Sequence, residues 1–183
     1  NLNVTFNQFS GYVSVSETKH LHYWMTESKG NPETDPIAFW TNGGPGCSGL
    51  LGFMTELGPF YTDNKDLTLS MNPYSWNNIA TMVFIEQPCG VGFSYSSDDT
   101  GDDYHTDDNQ SRLDNYALVQ AFLDKFPSYR QNDLYIASES YGGHYMPQLS
   151  QEIVDRNTAG NDPMLNFKGM MVGNPGTTFY SIM

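Results

Sequence analysis

The chain has 183 residues, a length typical of one domain that buries a hydrophobic core of its own. Its formal net charge of -13 and isoelectric point of about 4.3 argue against nucleic acid or an anionic membrane as a partner. No run of 18 apolar residues occurs, so no membrane span is predicted. The acidity fits simple solubility and service in an acidic compartment equally well.

The first predicted element is an antiparallel hairpin. Residues 12–15 and 21–25 are short runs rich in aromatic and β-branched side chains, and the turn between them is polar. His20 and His22 lie two residues apart and would point to the same face of the second strand, as ligands in some metal sites do. Because no further cluster of histidine or cysteine accompanies them, we interpret both as surface or packing residues and predict no metal site.

A glycine-rich loop follows the next predicted strand, Pro36–Trp40. Residues 41–47 of this loop read TNGGPGC, and three glycines within seven residues permit backbone conformations that other residues avoid. Such a loop also allows a substrate to approach the main chain closely. A structural turn and a substrate-binding loop are both compatible with this pattern.

The middle of the chain predicts alternating helices and strands. Residues 50–57 form a short helix that carries Glu56, and residues 79–85 form a strand apolar enough to be buried on both faces, as in a parallel sheet. The acidic stretch 97–108 is interpreted as a solvated loop, since its spacing differs from that of an EF-hand calcium site. A helix packed on the sheet is expected over residues 108–126.

Residues 133–149 are the strongest candidate for a catalytic segment. A strand over residues 134–137 is followed by a turn with Ser140 at its apex, and apolar residues at helical spacing begin after Gly143. Pro147 is expected in the first turn of that helix, where proline is tolerated. A sharp strand–turn–helix exposes a nucleophilic serine and directs backbone N–H groups toward an oxyanion. Alone, the pattern also fits an ordinary turn, because Ser138 stands where the general motif has glycine.

The last predicted elements are a polar loop over residues 155–163 and a strand over residues 167–172. Strands that alternate with helices predict an α/β fold with a mostly parallel central sheet and an antiparallel hairpin at its start. No internal repeat and no linker interrupt the pattern. One domain is therefore expected.

Three strings occur together in one order and resemble the serine carboxypeptidase family, the acid exopeptidases that include cathepsin A and yeast carboxypeptidase Y. They are AFWTNGGPGCSG at residues 38–49, EQPCGVGFSYS at residues 86–96 and ESYGG at residues 139–143. The resemblance covers nearly the whole chain. It implies an α/β-hydrolase fold and a serine-type carboxypeptidase that releases C-terminal residues from peptides through an acyl-enzyme, favoured at acid pH.

The resemblance also implies the roles of individual residues. Ser140 would be the nucleophile, and the N–H groups of Gly44 and Tyr141 would form the oxyanion hole. The residues that would bind or lie beside the free C-terminal carboxylate of the substrate are Trp40, Asn42, Gly43, Glu56 and Glu139. A carboxylate bonds to another carboxyl only when one of the two is protonated, which is the physical reason to expect activity in acid. No cofactor is implied.

The cysteines and sequons add a cellular context. By resemblance Cys47 would form a disulfide with a partner far downstream, and no cysteine follows Cys89 in this sequence. A bridge between these two cysteines is conceivable, but spacing cannot establish its geometry. Asn3 and Asn109 begin N-glycosylation sequons. Together with the resemblance they favour the secretory pathway, with a vacuolar, lysosomal or extracellular destination.

Two parts of the expected catalytic triad lack candidates. The order in this fold is Ser, Asp, His, and the only histidine after Ser140 is His144, in the turn itself. We therefore expect residues 1–183 to be the N-terminal part of a single α/β-hydrolase domain, with the cap insertion and the C-terminal part absent. A companion chain or those missing residues would supply the base and cover exposed apolar surface; a homodimer is left open.

Two other functions remain as alternatives at this stage. A serine carboxypeptidase-like acyltransferase uses the same nucleophile on acyl glucose esters, although Asn42 and Glu139 favour the peptidase. A non-catalytic fragment or binding subunit that retains the fold is favoured by the absent triad partners and by Ser138. The intact oxyanion glycines and carboxylate-binding residues argue against it. The preferred C-terminal residue of the substrate is not predicted.

Overall fold

The computed structural model describes residues 2–63 and 68–178. Nine strands and three α-helices alternate along them, and three short 3-10 helices lie in the connections. The elements are β1 Gln8–Ser14, β2 Lys19–Thr26, β3 Ile37–Thr41, α1 Leu50–Thr55, β4 Phe60–Asp63, β5 Thr68–Met71, β6 Thr81–Ile85, β7 Tyr95–Ser96, α2 Asp108–Lys125, β8 Leu134–Glu139, α3 Gly142–Ala159 and β9 Phe167–Gly173, with 3-10 turns at Trp76–Asn78, Asp102–Tyr104 and Pro127–Tyr129.

The central sheet has the strand order β1-β2-β6-β3-β8-β9, and the short β7 pairs with β2. Strands β6, β3, β8 and β9 are parallel to one another, whereas β1 and β2 form an antiparallel hairpin that joins the sheet at β6. This arrangement confirms the predicted mostly parallel sheet with an N-terminal hairpin. Strands β4 and β5 form a separate two-stranded ribbon.

Burial on both faces explains why the central strands are continuous apolar runs. Every residue of β3 and β6 is buried. On one face α2 and α3 cover a core that includes Phe39, Val83 and Ile136. On the other face α1 and the 3-10 turn at Trp76–Asn78 cover a smaller core. The carboxyl ends of β3, β6 and β8 therefore converge at one edge of the molecule, where ligand sites of α/β sheets form.

The α3 helix differs from the prediction at both ends. It begins at Gly142, so Pro147 lies in its second turn, and the expected position in the first turn is wrong. It also continues to Ala159. The prediction of a polar loop that starts at residue 155 is therefore wrong for residues 155–159, which form the last turn of the helix. Polar pairs spaced four residues apart hold that turn, and Gly160 ends it with a φ of 69°. No helix in the described ranges has the length and apolarity needed to cross a membrane.

Candidate active site

Ser140 lies at the tight turn between β8 and α3, and its backbone has a φ of 54°. A positive φ is rare for a residue with a side chain, and it is held here by surrounding hydrogen bonds. The Ser140 N–H donates to Gly173 O at 2.9 Å, and the Ser140 carbonyl accepts from Gly143 N and Gly176 N at 3.0 and 2.8 Å. The residue is exposed to solvent, as the strand–turn–helix pattern predicts for a nucleophile.

Two glycines allow the close packing around this turn. A Cβ atom on Gly142 would lie 2.0 Å from Ser138 Oγ, so the serine that replaces the usual glycine at position 138 fits only because residue 142 is glycine. A Cβ atom on Gly43 would lie 2.5 Å from the Tyr141 N atom and 2.6 Å from Glu139 O. The loop after β3 therefore lies directly against the turn that carries Ser140.

That loop has an unusual backbone. Gly44 and Gly46 have φ values of 111° and 84°, which a side chain would oppose, and Cys47 N donates to Gly43 O at 3.0 Å. Residues 44–46 are exposed. The two predicted oxyanion donors are Gly44 and Tyr141. They thus lie on two segments, the loop after β3 and the turn of Ser140, that are in contact at Gly43. Their role as donors stays a prediction.

A carboxamide lies between two carboxylates beside Ser140. The buried Asn42 donates from Nδ2 to Glu139 Oε1 at 3.0 Å and to Glu56 Oε1 at 3.4 Å. Its Oδ1 atom accepts from Trp40 Nε1 at 2.9 Å and from Gly52 N at 3.0 Å, which fixes the orientation of the amide. The structure therefore brings together the residues that sequence reasoning grouped as a carboxylate-binding set.

The two carboxylates of this cluster affect one another. Partial burial raises the pKa of Glu56, the charge of Glu139 raises it further, and the hydrogen bond from Asn42 lowers it. The net pKa of Glu56 lies above its ordinary value of 4.5. One carboxyl of the pair is thus biased toward the protonated form, which can donate a hydrogen bond to a third carboxylate.

The side chain of Tyr141 is held by α2, which sequence reasoning missed. Tyr141 Oη donates to Asp108 Oδ1 at 3.0 Å, and the Tyr141 ring stacks on His144 with 4.5 Å between centroids. Burial and Asp108 raise the pKa of the Tyr141 hydroxyl. The Nδ1 atom of His144 lies 3.6 Å from the other Asp108 oxygen. His144 is therefore part of the packing around the turn.

A cavity of about 620 Å³ opens beside this cluster. Its walls come from the glycine-rich loop, from the start of α2 and from the first turn of α3. The lining residues are Pro45, Gly46, Pro88, Thr106, Asp107, Asp108, Asn109, Ser111, Tyr141 and Tyr145. The cavity therefore lies against Tyr141, the residue that follows Ser140 in the chain.

The remaining predicted residues are the two cysteines and the two sequon asparagines. Neither Cys47, which is partly exposed, nor the buried Cys89 is paired. Asn3 and Asn109 are both exposed, and Asn109 Oδ1 accepts from Arg112 Nη2 at 2.6 Å. Glycosylation at these positions and the downstream disulfide of Cys47 stay predictions.

The chain matches the family model described as serine carboxypeptidase over residues 1–181. It is 46% identical over 176 residues to serine carboxypeptidase-like 26 of Arabidopsis thaliana, covering 93% of this chain and 38% of that protein. It is 44% identical over 170 residues to the lysosomal protective protein of Mus musculus, covering 93% and 34% respectively.

Among solved structures, the chain superposes with a TM-score of 0.82 and 26% identity on Kex1(delta)p, a prohormone-processing carboxypeptidase from Saccharomyces cerevisiae. That superposition covers 92% of this chain and 38% of the yeast chain. The chain thus spans less than two fifths of the length of each of these three relatives.

Proposed function

The chain belongs to the serine carboxypeptidase family, and from this premise we propose that the complete protein removes single residues from the C-termini of peptides through an acyl-enzyme. The observation that carries the proposal is the Asn42 amide held between Glu56 and Glu139, next to the turn of Ser140. Such a cluster binds a free carboxylate when one carboxyl is protonated. Endopeptidases and esterases have no need of it.

The proposed reaction begins with attack of Ser140 Oγ on the carbonyl carbon of the last peptide bond. The hydroxyl proton passes to a general base and then to the departing amine, and the N–H groups of Gly44 and Tyr141 donate to the oxyanion. Water then hydrolyses the ester on Ser140. The aspartate and histidine that assist the serine would come from the remainder of the protein or from a companion chain.

Recognition of the substrate would be strongest in acid. Asn42 and a protonated carboxyl from Glu56 or Glu139 would donate hydrogen bonds to the substrate carboxylate, with help from Trp40 and the Gly43 N–H. The raised pKa of Glu56 supports this assignment. As pH rises above the pKa of Glu56, its carboxyl ionises and repels the substrate carboxylate. We therefore expect KM to increase toward neutral pH.

The compartment follows from the same proposal. A relative of this chain is named lysosomal protective protein, and the acid-dependent carboxylate site suits a lysosome or a vacuole. We propose that the protein travels the secretory pathway to such a compartment. Enzymatic removal of N-glycans followed by mass measurement at Asn3 and Asn109 tests the route independently of activity.

The test uses the complete natural protein and two peptides that differ only in a free or an amidated C-terminus. We expect the free peptide to lose single C-terminal residues and the amide to react about 10²-fold more slowly, since its terminus leaves the acidic cluster unpaired. Ser140→Ala should reduce kcat/KM by about 10³-fold or more. Equal rates for both peptides would contradict the proposal. Transfer of an acyl group from an acyl glucose, without peptide hydrolysis, would replace it with the acyltransferase.

A further inference from the structure

A second group of polar residues lies buried behind the glycine-rich loop, outside the proposed site. His22 on β2 is 7% exposed, and Glu86, which follows β6, is 1% exposed. His22 Nδ1 lies 3.1 Å from Glu86 Oε2, outside the geometry of a well-aligned hydrogen bond. Ser48 Oγ donates to the other oxygen, Glu86 Oε1. The interpretation of His22 as a surface residue is therefore wrong, and that of a packing residue leaves out its contact with Glu86.

The position of the Glu86 carboxylate is fixed from several sides. Phe93 N donates to Oε2 at 2.9 Å, and a Cβ atom on Gly92 would lie 1.8 Å from Oε1. Burial raises the pKa of Glu86, but the contacts from His22, Ser48 and Phe93 outweigh it, and the net pKa is below the ordinary value. The carboxylate is thus a charged, rigid acceptor for Ser48.

The histidine ring is fixed just as closely. Its Nε2 atom lies 2.9 Å from Ser10 Oγ on the neighbouring strand β1. Tyr12 and Phe93 contact the ring edge-to-face, with centroids 5.4 and 5.2 Å away. The His22 N–H and carbonyl groups bond to Ser94 Oγ and Glu86 N at 2.8 and 3.1 Å. The ring therefore holds Glu86 from the side opposite Ser48.

Ser48 connects this cluster to the loop that approaches Ser140. Its Oγ atom also accepts from Leu50 N at 3.2 Å, at the start of α1. The next residue, Gly49, is so close to β6 that a Cβ atom would lie 2.1 Å from Ile85 O. At the other end Gly43 contacts the Ser140 turn, as described above. Between these two anchors residues 44–46 are exposed, and the Gly46 backbone also contacts Tyr145 of α3.

We propose that His22 is a positioning residue for the reaction at Ser140, acting through Glu86 and Ser48 on the loop of residues 43–47. The inference rests on the proposed function, because that loop supplies the Gly44 N–H to the oxyanion. An oxyanion donor must be held at hydrogen-bond distance before the charge develops. His22 would therefore affect kcat while the carboxylate site, which binds the substrate, remains intact.

The chain offers a matched control for this proposal. His20 is on the same face of β2, and its Nδ1 atom lies 2.9 Å from Ser14 Oγ, much as His22 contacts Ser10. The carboxylate contact to Glu86 is made by His22. His20→Phe and His22→Phe therefore make the same chemical change at two neighbouring positions, and each keeps an aromatic ring.

We expect His22→Phe in the complete protein to lower kcat about tenfold with KM changed less than twofold, and His20→Phe to change both less than twofold. Loss of a whole oxyanion donor costs about 10²–10³-fold, so partial displacement of one donor should cost less. Ser48→Ala should reproduce the effect, and combined with His22→Phe it should add little. Equal kcat for the two histidine variants, or fully additive losses, would overturn the proposal.

Two further measurements separate this inference from folding and from the proposed function. His22→Gln retains a side chain that can donate to Glu86 and should recover part of kcat; if it does not, a positioning role through Glu86 is contradicted. If the wild-type protein hydrolyses no peptide, the proposed function fails on its own. The rate at which a fluorophosphonate labels Ser140 then tests the inference, and labelling at the same rate in His22→Phe as in His20→Phe would overturn it.

Discussion

Two carboxylate clusters lie near the carboxyl ends of the parallel strands, one around Glu86 after β6 and one with Glu139 on β8, and they behave in opposite ways. Glu86 is almost fully buried, yet its pKa is lowered, because Ser48, Phe93 and His22 surround it. Glu56 is exposed as a residue, yet its pKa is raised, because its carboxyl is partly buried and faces Glu139 across one amide. Hydrogen-bond donors thus decide the direction of the pKa shift at Glu86, whereas burial of the carboxyl and then the charge of Glu139 decide it at Glu56.

The difference suits the two clusters to different tasks, support of the protein framework in one and binding of a carboxylate ligand in the other. A carboxylate saturated with donors stays charged, rigid and unavailable to a ligand, which suits a part of the framework. A pair of carboxyls with one shared amide keeps free lone pairs and can hold a proton, which suits binding of a third carboxylate.

The largest effect on stability is expected from removing the Glu86 carboxylate. Glu86→Ala leaves the Ser48 hydroxyl and the Phe93 N–H without their acceptor in a buried site, and it removes the carboxylate beside the His22 ring. Breaking such a buried network typically costs about 3 kcal/mol of the free energy of unfolding. Urea denaturation at pH 7 measures it. A loss below about 1 kcal/mol would show that Glu86 is not a structural anchor.

The next effect concerns the amide between the two carboxyls. Asn42→Ala leaves the buried Trp40 and Gly52 N–H groups without an acceptor, so we expect a loss of about 2 kcal/mol in the free energy of unfolding. Asn42→Asp keeps the acceptor but places a third carboxylate beside Glu56 and Glu139. Its destabilisation should therefore be large at pH 7 and small in acid, as followed by urea denaturation at both pH values. An equal loss of stability at both pH values would contradict the interpretation that one carboxyl of the Glu56–Glu139 pair takes up a proton in acid.

A smaller effect distinguishes charge from shape at Glu86. Because the pKa of Glu86 is lowered by folding, its ionisation stabilises the protein above the unfolded value near 4.5, and this contribution disappears as pH falls through the folded pKa. Glu86→Gln retains the shape and loses the charge. The stability difference from wild type should thus be widest at neutral pH and narrow below pH 4.5 in thermal unfolding. A constant difference would mean that the charge does not contribute.

Much of this architecture could be predicted from local sequence. The apolar runs of β3, β6 and β8 need no distant information, because burial on both faces is visible in their composition. The grouping of Asn42, Glu56 and Glu139 follows from the resemblance to the family. The geometry agrees with that grouping, while the roles of these residues stay predictions.

The rest depended on contacts between distant parts of the chain. The alternation of side chains along β2 predicts which face of the strand carries His22. It does not predict that the Glu86 carboxylate contacts the His22 ring. Asp108 stands at the start of the predicted helix, and its hydrogen bond with Tyr141 joins two elements far apart in sequence. The end of α3 was placed too early because its last turn is polar, although pairs four residues apart stabilise it.

The smallest effect is expected at Glu56, where the pH dependence of stability should be opposite in sign to that at Glu86. The pKa of Glu56 is raised by folding, so its carboxyl contributes most stability below the unfolded value of 4.5 and loses that contribution as pH rises through the folded pKa. Glu56→Gln removes the repulsion with Glu139, so this variant should gain stability relative to wild type as pH rises, whereas Glu86→Gln should lose it. Thermal unfolding of both variants between pH 3 and pH 8 measures the two slopes. If the stability of both variants, relative to wild type, changed in the same direction as pH rises, the proposed difference between the Glu86 and Glu56 carboxyls would be contradicted.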